Sequence, residues 1–146
     1  MQITEVLHVS YEQFHIFLQE MVLNDVKQVL QEDIKEVKEG FHYSKRLRNQ
    51  MQKEEQVEVV IEQLRDEKYQ VAFLSSQGKH IISYAYHPVN AHDTQVLYEE
   101  SYDGVNTSTQ LSHTLFAWLA KRGNKKKIKA LLKQIERMIQ EKTEAN

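Results

Sequence analysis

GFHYSKRLR, residues 40–48, is where the chain changes its period, and that change decides the fold. Phe41, Tyr43, Lys45 and Leu47 alternate with His42, Ser44, Arg46 and Arg48, the two-residue repeat of a strand with one wet face. Four runs of the same kind follow. Val57/Val59/Ile61, Tyr69/Val71/Phe73, Ile82/Tyr84/Tyr86 and Val96/Tyr98/Glu100/Tyr102 each lie on one face of their strand. The segments between them, Asp66-Glu67-Lys68, Ser75–Lys79 with Gly78, and Pro88–Asp93, are too short for parallel crossovers. The spacing therefore predicts an antiparallel meander in a curved sheet.

Upstream, Gln2–Val9 reads as a further strand. Ser10 and Gln13 form a capping box, and Val9 with Phe14 a hydrophobic staple, so a helix starts here. Tyr11, Phe14, Phe17, Leu18, Met21 and Val22 recur at its period. A second helix is expected from Asn24 or Asp25, burying Val26, Val29, Leu30, Ile34 and Val37, with Gly40 as its left-handed C-cap. Downstream of the sheet, Ser112 is a third cap. Leu111, Leu115, Trp118 and Leu119 make one apolar stripe, and Ile128, Leu131, Leu132, Ile135, Met138 and Ile139 another. At 100° per residue the two stripes fall on opposite sides of one helix, which predicts a break at Gly123-Asn124. The last helix, about Lys125 to Lys142, would be roughly 27 Å long.

Composition narrows the class. The chain has 146 residues, 40% of them hydrophobic, with 4 Gly and 1 Pro, as expected of one globular domain and not of a linker-rich chain. The absence of Cys removes disulfides, zinc–thiolate sites and thiol catalysis. The longest apolar run, Leu115–Ala120, is far short of the roughly 20 residues of a membrane span. Met1–Glu5 lacks the basic and apolar regions of a signal peptide, so a cytoplasmic location is expected. Net charge is −2, but residues 111–146 carry +6 against an acidic remainder.

The order strand, two helices, antiparallel run and long terminal helix resembles the helix-grip fold of the START and birch-pollen-allergen superfamily, which includes polyketide cyclases and lipid-transfer proteins. ITEVLHVSYEQFHIFL (3–18) is similar to that superfamily's entry, and the resemblance covers essentially the whole chain. GFHYSK (40–45), ISYAYHP (82–88), VLYEE (96–100) and KKKIKALLKQIE (125–136) resemble a bacterial family of uncharacterised domains. The resemblance implies an α+β fold in which a sheet of about six strands wraps around the C-terminal helix, with two short helices after strand 1. It also implies a cavity between sheet and helix that often holds an apolar ligand, without implying catalysis.

Several residue sets carry candidate chemistry. Phe73, Tyr84, Tyr86, Tyr98 and Trp118 would line such a cavity, tyrosine giving apolar area together with an orienting hydroxyl. The same rings would serve equally to fill a core. Glu100 shares their face and is a candidate pocket carboxylate, while Glu99 faces outward. Lys45, Arg46 and Arg48 fit an anion site or a charged edge strand. Lys125, Lys126 and Lys127 oppose the helix dipole and are candidates to hold an anion or an acidic partner protein.

His87, His92 and Asp93 cluster in sequence, but no metal-binding motif accompanies the histidines, so no metal or cofactor is expected. No nucleic-acid motif accompanies the basic run. The expected function is non-enzymatic binding of a small apolar or amphipathic molecule. The alternatives are a closed-core module docking an acidic protein through the basic C-terminal face, and a cyclase- or hydrolase-like enzyme. Nothing specifies a homo-oligomer.

Overall fold

The computed structural model describes residues 1–48, 54–76, 78–104 and 124–145. Six strands form one antiparallel sheet: β1 (Gln2–Leu7), β2 (His42–Arg48), β3 (Glu54–Arg65), β4 (Lys68–Ser75), β5 (Gly78–Pro88) and β6 (Thr94–Gly104). Their order is β1-β6-β5-β4-β3-β2, a meander whose last strand pairs with the first. Among the described residues two helices, α1 (Tyr11–Leu30) and α2 (Asn124–Ala145), cover one face. Helix α1 packs on β2 and β5, and α2 packs on β1 and α1. The meander is the one expected from the alternation, and the helix-grip architecture is the one the resemblance implied.

The start of α1 forms as its sequence dictates. The Gln13 amide donates to Ser10 Oγ at 3.2 Å, and the Ser10 amide donates to Gln13 Oε1 at 2.9 Å. Val9 and Phe14 are both buried.

The expected second helix is a correction. Helix α1 runs unbroken through Asn24 and Asp25 and buries Phe14, Leu18, Val22 and Val26, a single stripe at four-residue spacing. Asp25 does not cap. Its carboxylate instead accepts hydrogen bonds from the Tyr43 hydroxyl and from Lys45 Nζ, the latter at 3.1 Å, so a partner on β2 competes successfully for the capping group. The helix ends at Gln31, whose left-handed backbone (φ 54°) lets its amide reach the Lys27 carbonyl at 2.8 Å. Gly40 does take a left-handed φ of 88°, but in a turn before β2 rather than after a helix. There its amide donates to the Ile61 carbonyl at 2.7 Å.

Along the sheet the alternation puts Tyr43, Val57, Val59, Ile61, Tyr69, Val71, Tyr84, Tyr86, Val96 and Tyr98 in one buried layer under the helices. A bulge between Ile61 and Gln63 lets β3 keep Leu64 opposite Tyr69 despite the extra residue. Helix α2 is about 33 Å long. It buries Ile128, Leu132, Ile135 and Ile139, while Leu131 and Met138 are 39% and 41% exposed, so its stripe is narrower than the sequence implied.

A polar clasp fixes α2 to the β1–α1 junction. The His8 amide donates to Glu136 Oε2 at 2.6 Å, and Gln140 Nε2 donates to the His8 carbonyl at 3.0 Å. Gln13 Nε2 donates to Thr143 Oγ1 at 2.8 Å, and Lys142 pairs with Glu20 at 2.5 Å. Glu136 is buried by this role.

Candidate functional site

The antiparallel register builds a row of tyrosines across the covered face. Tyr69 on β4 stands opposite Tyr84 on β5, and Tyr84 opposite Tyr98 on β6. The Tyr69 and Tyr84 rings stack with centroids 5.8 Å apart and an interplanar angle of 16°. Tyr84 and Tyr98 meet edge to face at 5.2 Å and 80°. Both arrangements suit aromatic quadrupoles.

At the β6 end the row acquires charge. The Tyr98 hydroxyl donates to Glu100 Oε1, and Glu100 Oε2 lies 3.5 Å from His80 Nε2. The His80 and Glu100 side chains are only 5% and 6% exposed, so this is an interior carboxylate–imidazole contact. Val71, Ile82 and Glu100 form the adjoining rank across β4, β5 and β6, and Phe73, His80 and Tyr102 the one beyond it. At the β2 end, Tyr43 donates to Asp25, which also holds Lys45. Burial pushes the phenols of Tyr43, Tyr69, Tyr84 and Tyr98 well above the ordinary tyrosine range. The neighbouring carboxylates, Asp25 for Tyr43 and Tyr69 and Glu100 for Tyr84 and Tyr98, push the same way.

The hydroxyls of this row are not equally served. Tyr98 has Glu100, Tyr43 has Asp25, and Tyr86 is hydrogen-bonded to His15 Nδ1 at 2.7 Å. Among the described residues, neither the Tyr69 nor the Tyr84 hydroxyl has a hydrogen-bond partner. Each of these two residues keeps 7% of its surface open, whereas Tyr86 and Tyr98 keep 1% and 2%. Neither phenol oxygen is among the fully enclosed, unpartnered atoms, so each is open to a partner that is not a protein group.

The other expected residues fall as follows. Tyr86 shares the face of the row but is enclosed by Phe14 at 5.0 Å and Tyr11 at 5.6 Å, at a filled end of the core. Phe73 packs half-buried against the core. Lys125, Lys126 and Lys127 are exposed on the first turn of α2. Trp118 lies outside the described residues, as do the Ser112 cap, the Leu111–Leu119 stripe and Gly123. Lys45 and Arg46 both border an open groove of about 420 Å³ on β2, with Val29, Ser44 and Gln56, but different carboxylates hold their charges. They point to opposite faces, Lys45 to Asp25 and Arg46 to Glu54 at 3.3 Å.

His92 and Asp93 belong to a loop braced by Asn90, and Asp93 holds His8 at 3.0 Å. Among the described residues no cluster of three potential metal ligands occurs. Nor is any described helix long and apolar enough to cross a membrane.

Sequence reasoning missed Tyr69 and His80 as site residues. Tyr69 already stands in the Tyr69/Val71/Phe73 alternation, and continuing the Ile82/Tyr84/Tyr86 alternation one step back reaches His80. On the outer surface, two open grooves of about 250 and 430 Å³ run between α1 and α2 and share Phe17, Glu20 and Lys142. Neither is lined by a tyrosine of the row.

These features define a helix-grip fold, with an aromatic interior row ending on a buried carboxylate. Among solved structures it is similar to norcoclaurine synthase from Thalictrum flavum, with a TM-score of 0.64 at 9% identity over 97% of this chain and 86% of that one. It is similar too to a START superfamily protein from Mycobacterium smegmatis, with a TM-score of 0.58 at 12% identity and 97% of each chain covered. A protein of Thermus thermophilus gives 0.58 at 16% identity, with 95% of each chain covered. At such identities the likeness is one of fold. The chain belongs to the family described as domain of unknown function DUF3284, whose model matches residues 1–121. No curated protein matches the sequence.

Proposed function

We propose that the chain is a single cytoplasmic domain that binds a small apolar or amphipathic molecule between its curved sheet and its helices, without converting it. The observation that carries this reading is the pair of hydroxyls on the buried residues Tyr69 and Tyr84, which lack a hydrogen-bond partner among the described residues. Phe73, Tyr69, Tyr84 and Tyr98 would contact the molecule, Glu100 would orient its polar end, and Tyr86 would close the floor. The fold supports the reading in general terms, since helix-grip proteins often enclose ligands.

The test is native mass spectrometry of gently purified protein, together with thermal melts against fatty acids, sterols, polyphenols and sugar phosphates. A ligand at 100 times its Kd adds about 2.7 kcal/mol to the folded state, a plain rise in Tm. A bare mass and unchanged melts across the panel would contradict the proposal. They would favour the closed-core reading, for which the exposure of Lys125, Lys126 and Lys127 is the supporting observation.

A further inference from the structure

The two tyrosines without protein partners are adjacent. Tyr69 and Tyr84 are direct cross-strand neighbours with nearly parallel rings, so their hydroxyls leave the sheet side by side. The flanking phenols are already committed, Tyr98 to Glu100 on one side and Tyr43 to Asp25 on the other. Two donors therefore stand side by side, bracketed by two carboxylates. From this arrangement we infer that the bound molecule presents an uncharged oxygen acceptor, a ketone, ester or hydroxyl, to the paired hydroxyls of Tyr69 and Tyr84. The inference rests on the ligand-binding reading above and names the chemical class for it.

Charge decides between acceptors. Burial holds both phenols protonated, so they remain donors throughout the ordinary pH range. The charge of Glu100 reaches the Tyr84 hydroxyl and that of Asp25 reaches Tyr69, so a ligand carboxylate placed between them would meet repulsion from both ends. A ligand ammonium brings donors to groups that need an acceptor. A neutral oxygen satisfies both hydroxyls and meets neither penalty. An apolar body is required around it, because the rest of the layer is ring and aliphatic surface: Val71, Ile82 and Phe73 occupy the neighbouring ranks.

Four probes of one shape separate the possibilities: 2-acetylnaphthalene, 2-ethylnaphthalene, 2-naphthoate and 2-naphthylmethylammonium, with Kd measured by calorimetry on the full chain. The ketone is expected to bind about tenfold tighter than the ethyl analogue, the worth of one good hydrogen bond, and tighter than either ion. Tyr69→Phe with Tyr84→Phe should erase that tenfold advantage, so that the ketone and the ethyl compound bind alike. A naphthoate that binds as well as the ketone would overturn the inference. So would a ketone no tighter than the ethyl compound, and both results would leave the ligand-binding reading intact. Failure of all four to bind would remove the reading and the inference together. The ketone-to-ethyl ratio is read on the unsubstituted chain, so the test stands even if the double variant folds poorly.

Discussion

Tyr86 and Tyr84 sit two residues apart on β5, point to the same covered face, and have opposite fates. Around Tyr86 the protein supplies everything the side chain needs: Phe14 and Tyr11 against its ring, and His15 on its hydroxyl. Around Tyr84 it supplies rings on both sides and no described partner for the hydroxyl. The first arrangement is ordinary core. The second leaves a donor exposed to the interior, as a binding surface does and a core does not. One aromatic layer thus has a closed end that holds the fold together and a middle that the fold alone does not complete.

The largest effect expected from this contrast is alkaline. Tyr69 and Tyr84 have raised phenol pKa values in the folded state, against 10.0 for an unburied tyrosine. Their contribution to stability is therefore fully present below pH 10 and falls as pH rises above it, by roughly 1.4 kcal/mol per phenol per pH unit. Cooperative unfolding between about pH 10 and 12 is expected, with absorbance at about 295 nm rising in the same step as the circular dichroism falls. Phenols ionising before unfolding would mean that the middle of the layer is wet.

Next in size is a pair of truncations. Phe14→Ala empties the closed end and should cost about 3–5 kcal/mol in urea melts. Phe73→Ala, half-buried beside the open row, should cost less than half as much. Equal losses would show that both regions are equally filled.

Glu136→Ala removes the acceptor of the His8 amide and should cost about 1–3 kcal/mol, with faster hydrogen exchange at that amide, because the bond is made to a charged group. The smallest effect lies away from the layer. Lys125→Glu with Lys126→Glu places anions on the first turn of α2, which has no acidic residue, and should raise stability by about 0.5–1 kcal/mol at low salt. A loss there would mean that these lysines have a stabilising partner.

Most of this architecture is readable from local pattern. The two-residue alternation assigns the covered face of β2 to β6, and the Ser10–Gln13 box marks the start of α1 by chemistry contained within four residues. What local pattern misses is non-local. Asn24 and Asp25 resemble a helix start, but Asp25 is spoken for by Tyr43 and Lys45, some twenty residues on. The His80–Glu100 contact needs the β5–β6 register, since the two residues are diagonal neighbours: His80 faces Tyr102, and Glu100 faces Ile82. Glu136 reads as one more surface charge until β1 delivers the His8 amide to it. The distinction between Tyr84 and Tyr86 is of the same kind, because it is made by His15 on a different element.

The most direct measurement of that distinction is the melting temperature of two single variants without added ligand, Tyr84→Phe and Tyr86→Phe. Removing a hydroxyl bonded to His15 should cost about 1 kcal/mol, whereas removing one without a protein partner should leave stability unchanged or raise it. Opposite or clearly unequal shifts, with Tyr86→Phe the less stable, are the predicted result. Equal losses would contradict the account, since the Tyr84 hydroxyl would then serve the fold as fully as that of Tyr86.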